Sequence, residues 1–412
     1  MKKRVVITGR GAVTPIGNNV KTMWHHAKKG MNGIAEITAF DTTDYKVKLA
    51  AEVKDFDPSQ VLSRQEVRKL DRFSQFAIVA ADEAYQDAGL TDALDRTRIG
   101  VMVSSGIGGL YTIEETANKL RDAGPTRISP HFIPKVLTNL AAGNVAIHLN
   151  AQGACHTIVT ACAASTDAIG TAYRHLMGGY ADVMIAGGAE ASITPLGIAG
   201  FSIIRATSES TDKNRASIPF DKERHGFVMG EGAGMLVLES LEHAQARGAK
   251  IYGEVVGYGS TCDAFHVTAP VEDGGGAIRA MKEALATAGL EPSSIDYINA
   301  HGTSTPLNDQ TETKAVKAIF GDHARKLAMS STKAMTGHLL GATGAIEAIL
   351  TVASLEEGYV LPTINYKQAD PACDLDVVPN VGREQNLTYA MSNSLGFGGH
   401  NATIILKKWE GQ

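Results

Sequence analysis

Strand-length apolar runs that alternate with helix-period segments constrain this chain more than any other feature. The runs are Val5–Thr8, Ile99–Ser104, Thr157–Ala161, Asp182–Ala186, Met235–Glu239, Ile251–Val256, Tyr297–Asn299, Val360–Thr363, Tyr389–Ser392 and Thr403–Leu406. Helical spacing of apolar residues is clearest over Phe73–Ala88, Gly276–Ala288 and Thr311–Ile319. Runs apolar on both faces suit strands covered on both sides, so the alternation predicts α/β layers around buried sheets. The glycine-rich stretch Gly396–Ala402, placed just before the last run, adds some antiparallel pairing.

A chain of 412 residues exceeds one small domain and suits two or three. The net charge of −5 excludes a generally basic nucleic-acid binder. Apolar residues at 44% and charged residues at 20% are globular values and exclude a disordered tail or a coiled coil. Four Cys do not make a disulfide scaffold. The basic start Met1–Arg4 leads into an apolar run too short for a signal-peptide core. The longest charge-free run, Val136–Thr166, carries Asn139, Asn144, His148, Asn150 and Gln152, which suits an interior segment and not a membrane span. The expectation is a cytoplasmic protein with reduced thiols. The boundary falls best at Gly248-Ala249-Lys250, which gives halves of 1–248 and 249–412. No repeat is visible in the sequence, apart from a loose echo: one strand ends near Cys162 in the first half and another near His301 in the second.

Four motifs could carry chemistry. In Val159-Thr160-Ala161-Cys162-Ala163-Ala164-Ser165 an apolar strand runs into small residues and then a helix, whose core stripe is Ile169, Ala172, Tyr173, Leu176 and Met177. Cys162 then sits at a helix N-terminus, where free N–H groups and the dipole favour a thiolate and can hold an oxyanion. Cys155, Cys262 and Cys373 lack this context. Asn299-Ala300-His301-Gly302-Thr303-Ser304-Thr305-Pro306 delivers a His from a strand end. Lys333-Ala334-Met335-Thr336-Gly337-His338 opens a Gly/Ala-rich helix. Two such His with one poised Cys form a better constellation than any of them alone. Gly396-Phe397-Gly398-Gly399-His400-Asn401 marks backbone that turns tightly or approaches a ligand. Neither this loop nor Gly106-Ile107-Gly108-Gly109 has the spacing of a nucleotide loop, and no HExxH or CxxC supports a catalytic metal.

Together these motifs resemble the β-ketoacyl-[acyl-carrier-protein] synthases, most of all the type II elongating enzyme of bacterial fatty-acid synthesis. Gly187-Gly188-Ala189-Glu190 and the stretch Pro219–Gly232 match as well, and the likeness runs from Val5 to Ile404. The resemblance implies a thiolase-like fold, two similar α/β halves in five layers (α-β-α-β-α), and a homodimer. It implies an acyltransferase that condenses malonyl-carrier protein with an acyl-enzyme, with decarboxylation and no cofactor beyond the carrier's phosphopantetheine. Cys162, His301 and His338 would be catalytic, with Lys333 paired to Glu347, supporting Thr303 and Thr305, and an oxyanion hole at the N–H groups of Cys162 and Phe397. Ile107 and Phe201, with Phe132 and Ile133 from the partner subunit, would line the acyl pocket. Arg64, Arg68, Lys69, Arg72, Arg127 and Arg205 would dock the acidic acyl carrier protein. Relatives bind a structural monovalent cation near positions matching Asn299, Glu347, Ser392 and Asn401. Two departures lie near the acyl entrance: Arg205-Ala206-Thr207-Ser208 and Leu395 replace more usual residues. A thiolase, a polyketide ketosynthase and a non-catalytic chain-length partner are the rival readings. The first would use a second Cys near the C-terminal Gly-rich loop, and Met391–Asn401 holds none; Cys162 argues against the last.

Overall fold

The computed structural model describes residues 3–91 and 93–411. Its main sheet has ten strands: β1 (Val5–Val13), β2 (Ile99–Ser104), β3 (Cys155–His156), β4 (Val183–Glu190), β5 (Gly232–Ser240), β6 (Gly253–Cys262), β7 (Tyr297–Asn299), β8 (Ala328–Ser330), β9 (Tyr389–Gly396) and β10 (His400–Lys408). The spatial order is β8-β7-β9-β10-β6-β1-β5-β4-β2-β3. Read outward from the centre, both halves repeat one pattern. Two antiparallel pairings come first, β1–β5–β4 and β6–β10–β9. Two parallel ones follow, β4–β2–β3 and β9–β7–β8. Only a short antiparallel contact, Val5–Ile7 against Gly253–Val255, joins the halves edge to edge.

Helices complete five layers. α1 (Arg64–Lys69), α2 (Arg72–Asp87), α3 (Leu110–Ala123), α4 (Phe132–Val136), α5 (Leu140–Leu149), α6 (Ala164–Met177) and α7 (Pro195–Ile203) belong to the first half. α8 (Gly275–Ala288), α9 (Pro306–Phe320) and α10 (Thr343–Glu357) belong to the second. α2 and α5 cover one outer face and α8 and α9 the other, each over its own apolar core. α6 and α10 pack together between the two half-sheets, in a core fed by strands of both. α10 is buried from Thr343 to Leu355, as a helix enclosed on all sides must be.

The halves share a packing device that is short enough to miss in the sequence. Side chains added at Gly9 and Gly11 of β1 would strike the carbonyls of Ala84 and Ala80 on α2. Side chains at Gly257 and Gly259 of β6 would strike those of Ala284 and Ala280 on α8. A Gly-x-Gly strand against an Ala-x-x-x-Ala helix lets each outer helix lie directly on its sheet.

Two predicted runs need correction, and one strand was not predicted. Thr157–Ala161 is not a strand: the ladder stops at His156, and the Thr157 hydroxyl bonds the Val103 carbonyl in its place. Val360–Thr363 shrinks to Tyr359–Val360 in a separate two-stranded piece. The edge strand Ala328–Ser330 was not expected, and three residues carry too little pattern to announce it. The echo between Cys162 and His301 also pairs the wrong segments. Cys162 follows β3, whose counterpart is β8, whereas His301 follows β7, whose counterpart is β2.

Candidate active site

The turn before α6 is strained and held from several sides. The backbone turns out of the extended region at Thr160 (φ −123°, ψ 42°), takes a left-handed step at Ala161 (φ 50°), and winds through a 3₁₀ turn, Ala161–Ala163, into the helix. A non-glycine residue at such a φ persists only where neighbours over-determine it. Here the Thr160 hydroxyl donates to Asp167 on α6 at 2.6 Å, and Asp167 also accepts from the Tyr258 hydroxyl of the other half. Gly396 crosses so closely that a Cβ there would lie 2.8 Å from the Thr160 carbonyl and 3.2 Å from the Cys162 nitrogen. Cys162 therefore stands at the tip of a sharp elbow, with backbone N–H groups of Phe397 and of Cys162 itself directed at its sulfur.

That position does not make it a thiolate. Burial pushes the Cys162 thiol up to about 11, and Glu190 adds to the rise, while Lys333 and the two N–H groups pull the other way. The helix terminus was expected to favour the thiolate outright; the enclosed surroundings outweigh it.

His301 and His338 come from the other half. The rings stand edge to face, 5.4 Å apart. The N–H groups of His301 and Gly302 both donate to the Glu312 carboxylate on α9, each at 2.8 Å, which fixes the turn after β7. The Leu340 N–H donates to His338 Nδ1 at 3.3 Å, and Thr343 Oγ1 lies 3.0 Å from the same nitrogen. A backbone N–H can only donate, so neutral His338 carries its proton on Nε2. Burial and the Lys333 charge hold both imidazoles well below the usual His range, so both are neutral donors at pH 7. His301 Nδ1 is buried without a partner. Ser304 (φ 72°) and Leu340 (φ 48°) place left-handed residues beside these turns too.

Lys333 and Glu347 form a buried pair, Nζ to Oε1 2.5 Å, each side chain 1% exposed. Burial raises the Glu347 carboxyl to about 7 against the pull of Lys333. Asn299 Oδ1, Glu347 Oε2 and Ser392 Oγ are buried with no partner among the described residues, and Asn299 and Ser392 face each other in the ladder. Three orphaned oxygens in one spot fit a monovalent cation. Asn401 does not belong with them. It pairs with Leu395 in the ladder, and its amide donates to Asp263 and to the Gly399 carbonyl.

One cavity of about 380 Å³ gathers Cys162, His301, His338, Thr303, Thr305, Phe201, Arg205 and Phe397. The hydroxyls of Thr303 and Thr305 lie 2.9 Å apart at its wall. Ile107 does not line this cavity; it packs from behind, in one apolar cluster with Cys162, Phe201 and Leu340. Phe132 is half-buried and Ile133 is 56% exposed on α4, and neither reaches the cavity of its own chain. Arg64, Arg68 and Lys69 are exposed on α1, and Arg127 is exposed before α4. Arg72 is not a free surface cation. It grips Glu231 with two nitrogens and lies over the Phe56 and Phe76 rings. The residues to which sequence reasoning gave no role are carboxylates: Glu190, which ends the matching stretch Gly187–Glu190, and Glu312, Asp167 and Asp263, which stand in no motif. Cys262 was set aside, yet its sulfur lies 3.6 Å from the Gly398 carbonyl, outside the cavity wall. Cys373 is buried away from it.

Residues 2–244 match the model of the beta-ketoacyl synthase N-terminal domain, and residues 252–367 that of the C-terminal domain. The chain is 55% identical over 410 residues, 99% of each chain, to 3-oxoacyl-[acyl-carrier-protein] synthase 2 of Staphylococcus aureus (strain N315). It is 54% identical over 411 residues, again 99% of each, to the protein of that name from Synechocystis sp.. A beta-ketoacyl synthase from Burkholderia phymatum superposes with a TM-score of 0.92 at 35% identity, over 99% of this chain and 100% of that one. A type II polyketide ketosynthase, solved in complex with its acyl-carrier protein, superposes with a TM-score of 0.92 at 36% identity over the whole of both chains.

Proposed function

The chain belongs to the beta-ketoacyl synthase family, and from that premise we propose how its own residues perform the condensation. The protein is a 3-oxoacyl-[acyl-carrier-protein] synthase, a condensing acyltransferase that elongates acyl chains in fatty-acid synthesis. The observation that carries the residue assignment is one cavity shared by a thiol from the first half and two neutral imidazoles from the second.

Cys162 Sγ attacks the thioester carbonyl of acyl-carrier protein, and the carrier's thiol leaves with the proton that Cys162 loses. The oxyanion that forms is met by the N–H groups of Cys162 and Phe397. Malonyl-carrier protein then loses carbon dioxide. The enolate oxygen accepts from the His338 and His301 ring N–H groups, which need not charge to donate. The enolate carbon attacks the acyl-Cys162 carbonyl, the C–S bond breaks, and one proton restores the thiol. This chemistry needs no added redox group. Lys333, held by Glu347, supplies the positive field that both imidazoles and the thiol feel. Asn299, Glu347 and Ser392 would hold a monovalent cation that offsets the Glu347 charge. Thr303 and Thr305 offer hydroxyls to the carrier's pantetheine arm.

Arg64, Arg68 and Lys69 on α1, with Arg127 and Arg205, form the docking side for an acidic carrier. Two copies pair through the β3 edge, where Cys155, His156 and Val159 are exposed, with the exposed α4 residue Ile133 joining the interface. Phe132 and Ile133 then close the partner's acyl pocket. The halves divide at 248/249, in the link between the short helix Leu241–Ala246 and β6. No helix among the described residues is long and apolar enough to cross a membrane, and a cytoplasmic location fits the carrier-bound substrates.

The test is mass analysis of the protein after exposure to acyl-carrier protein, followed by malonyl-carrier protein. An acyl mass on Cys162 that is discharged with release of carbon dioxide is the expected result. An acyl group on any other residue overturns the assignment.

A further inference from the structure

Glu190, the last residue of β4, is fully buried and gathers three segments of the chain. Its Oε2 accepts from the Gly106 N–H at 2.7 Å and from the Gly341 N–H at 3.0 Å. Its Oε1 accepts from the Ile107 N–H at 3.3 Å and from the Ser105 and Ser192 hydroxyls, each at 3.0 Å. The Ser105 hydroxyl in turn accepts from the Gly108 N–H. The groups that hold the Glu190 charge are thus neutral donors. Burial still pushes its carboxyl above the ordinary value.

The segments it joins matter more than the bonds. Gly106 and Ile107 follow β2, in the first half. Gly341 ends the turn that begins at His338, in the second. A Cβ on Gly341 would lie 2.2 Å from the Gly106 nitrogen, so the two backbones come this close only because residue 341 is glycine. A Cβ on Gly106 would lie 2.8 Å from Glu190 Oε2. The carboxylate closes this junction on the side facing the nucleophile turn. Behind it Ile107, Leu340, Phe201 and Cys162 share one apolar cluster.

We propose that Glu190 is a positioning residue that holds Ile107 and the turn carrying His338 in one register, so that acyl-tail length and enolate geometry are set by the same carboxylate. The inference rests on the reading of Cys162 as the acylated residue. It goes beyond that reading by naming what holds Ile107, which packs behind the cavity in one apolar cluster with Cys162 and Phe201, in place. Ile107 is bonded through its backbone, so its side chain is free to pack while its position is fixed. A buried carboxylate with neutral partners suits this role: each bond to an ionised oxygen is stronger than a neutral one, and removing the charge weakens all of them together.

The experiment uses full-length protein with Glu190→Gln and Ser192→Ala. Gln keeps the volume, removes the charge and turns an NH₂ toward N–H donors. Three readouts separate positioning from simple structural support: kcat/KM for short and long acyl-carrier proteins, the malonyl decarboxylation rate, and the alkylation rate of Cys162 by iodoacetamide at pH 8. The charged groups facing Cys162 are Lys333 and Glu190, with neutral His301 and His338 across the cavity.

For Glu190→Gln the long-to-short ratio rises about fourfold for each methylene by which the wall retreats. Decarboxylation falls alongside it, and alkylation speeds up because a negative neighbour is gone. Ser192→Ala removes one donor and keeps the charge, so the ratio rises less and alkylation stays at the wild-type rate. A fall in kcat/KM by one common factor at every length, with unchanged alkylation, overturns the proposal. Should Glu190→Gln fail to fold, a wild-type ratio in Ser192→Ala overturns it equally. Failure of the acyl-enzyme reading shows in the wild type itself, as no acyl mass on Cys162.

Discussion

Cys162 is placed to be a nucleophile but held as a thiol. Its proton has to leave during attack, so the alkylation rate should climb steadily from pH 7 to pH 10, toward the raised value of about 11. A plateau below pH 8 in iodoacetamide kinetics would show a preformed thiolate instead. Cys162→Ala should abolish condensation and still decarboxylate malonyl-carrier protein, because the two imidazoles remain; normal condensation by this variant would remove Cys162 from the mechanism. His338→Ala should lower decarboxylation by about 10²-fold, the scale of one lost oxyanion donor. His338 also has a stability signature. It stays neutral when folded and protonates below about 6.5 when unfolded, so unfolding takes up a proton in acid. Its share of stability is therefore present above that pH and is lost as pH falls, at up to about 1.4 kcal/mol per pH unit. Denaturant titrations of His338→Asn from pH 7 to pH 5 should show an acid slope flatter by about one proton. An unchanged slope means that His338 is already charged in the folded protein.

At the scale of elements, the site depends on turns that cross. The α6 elbow and the β9–β10 hairpin meet where Gly396 passes Thr160 and Cys162, so Gly396→Ala must push one of them aside. Condensation should fall by about 10-fold or more if the Phe397 N–H is the oxyanion donor proposed above, since it moves with the hairpin. The melting temperature should fall by only a few degrees, and a stable variant with wild-type kcat would show that the hairpin yields without disturbing the hole. α1 presents Arg68 and Lys69 beside the half-buried, committed Arg72. Reversing Arg68 and Lys69 to Glu should raise KM for acyl-carrier protein, less so in high salt, and leave an acyl-pantetheine substrate alone. Equal effects on both substrates would rule out docking by α1. The helix and strand pattern that put α6 and β9 on the map was legible. The crossings were not, because each depends on a glycine whose partner lies far away in the chain.

For the whole molecule, β3 and β8 are the two edges of the sheet, and of these β8 is buried while β3 is exposed. Val159 is 52% exposed beside it, so if two copies pair through this edge as proposed, Val159→Glu should shift sedimentation toward monomer and lower activity in step. Monomers with full activity would show that Phe132 and Ile133 serve no partner. The two half-sheets, joined by a three-residue contact, hold together through α6 and α10. The cavity lies where the ends of both halves meet, so neither half holds a complete site.

The sequence by itself determined the layer class, the longer strands and helices, and the reactive side chains at element ends, because periodicity and local turn chemistry are short-range. It also carried the family likeness, because four motifs in order are improbable by accident. Only the tertiary structure decided the protonation states, since burial depends on every neighbour at once: it keeps Cys162 protonated and both imidazoles neutral. It decided too that Arg72 is spent on Glu231 and that Asn401 stands apart from Asn299 and Ser392. And it brought Glu190 to Gly106 and Gly341, a junction of two halves separated by 235 positions in the chain (106 to 341), because a buried carboxylate finds its donors through space and leaves no spacing to read.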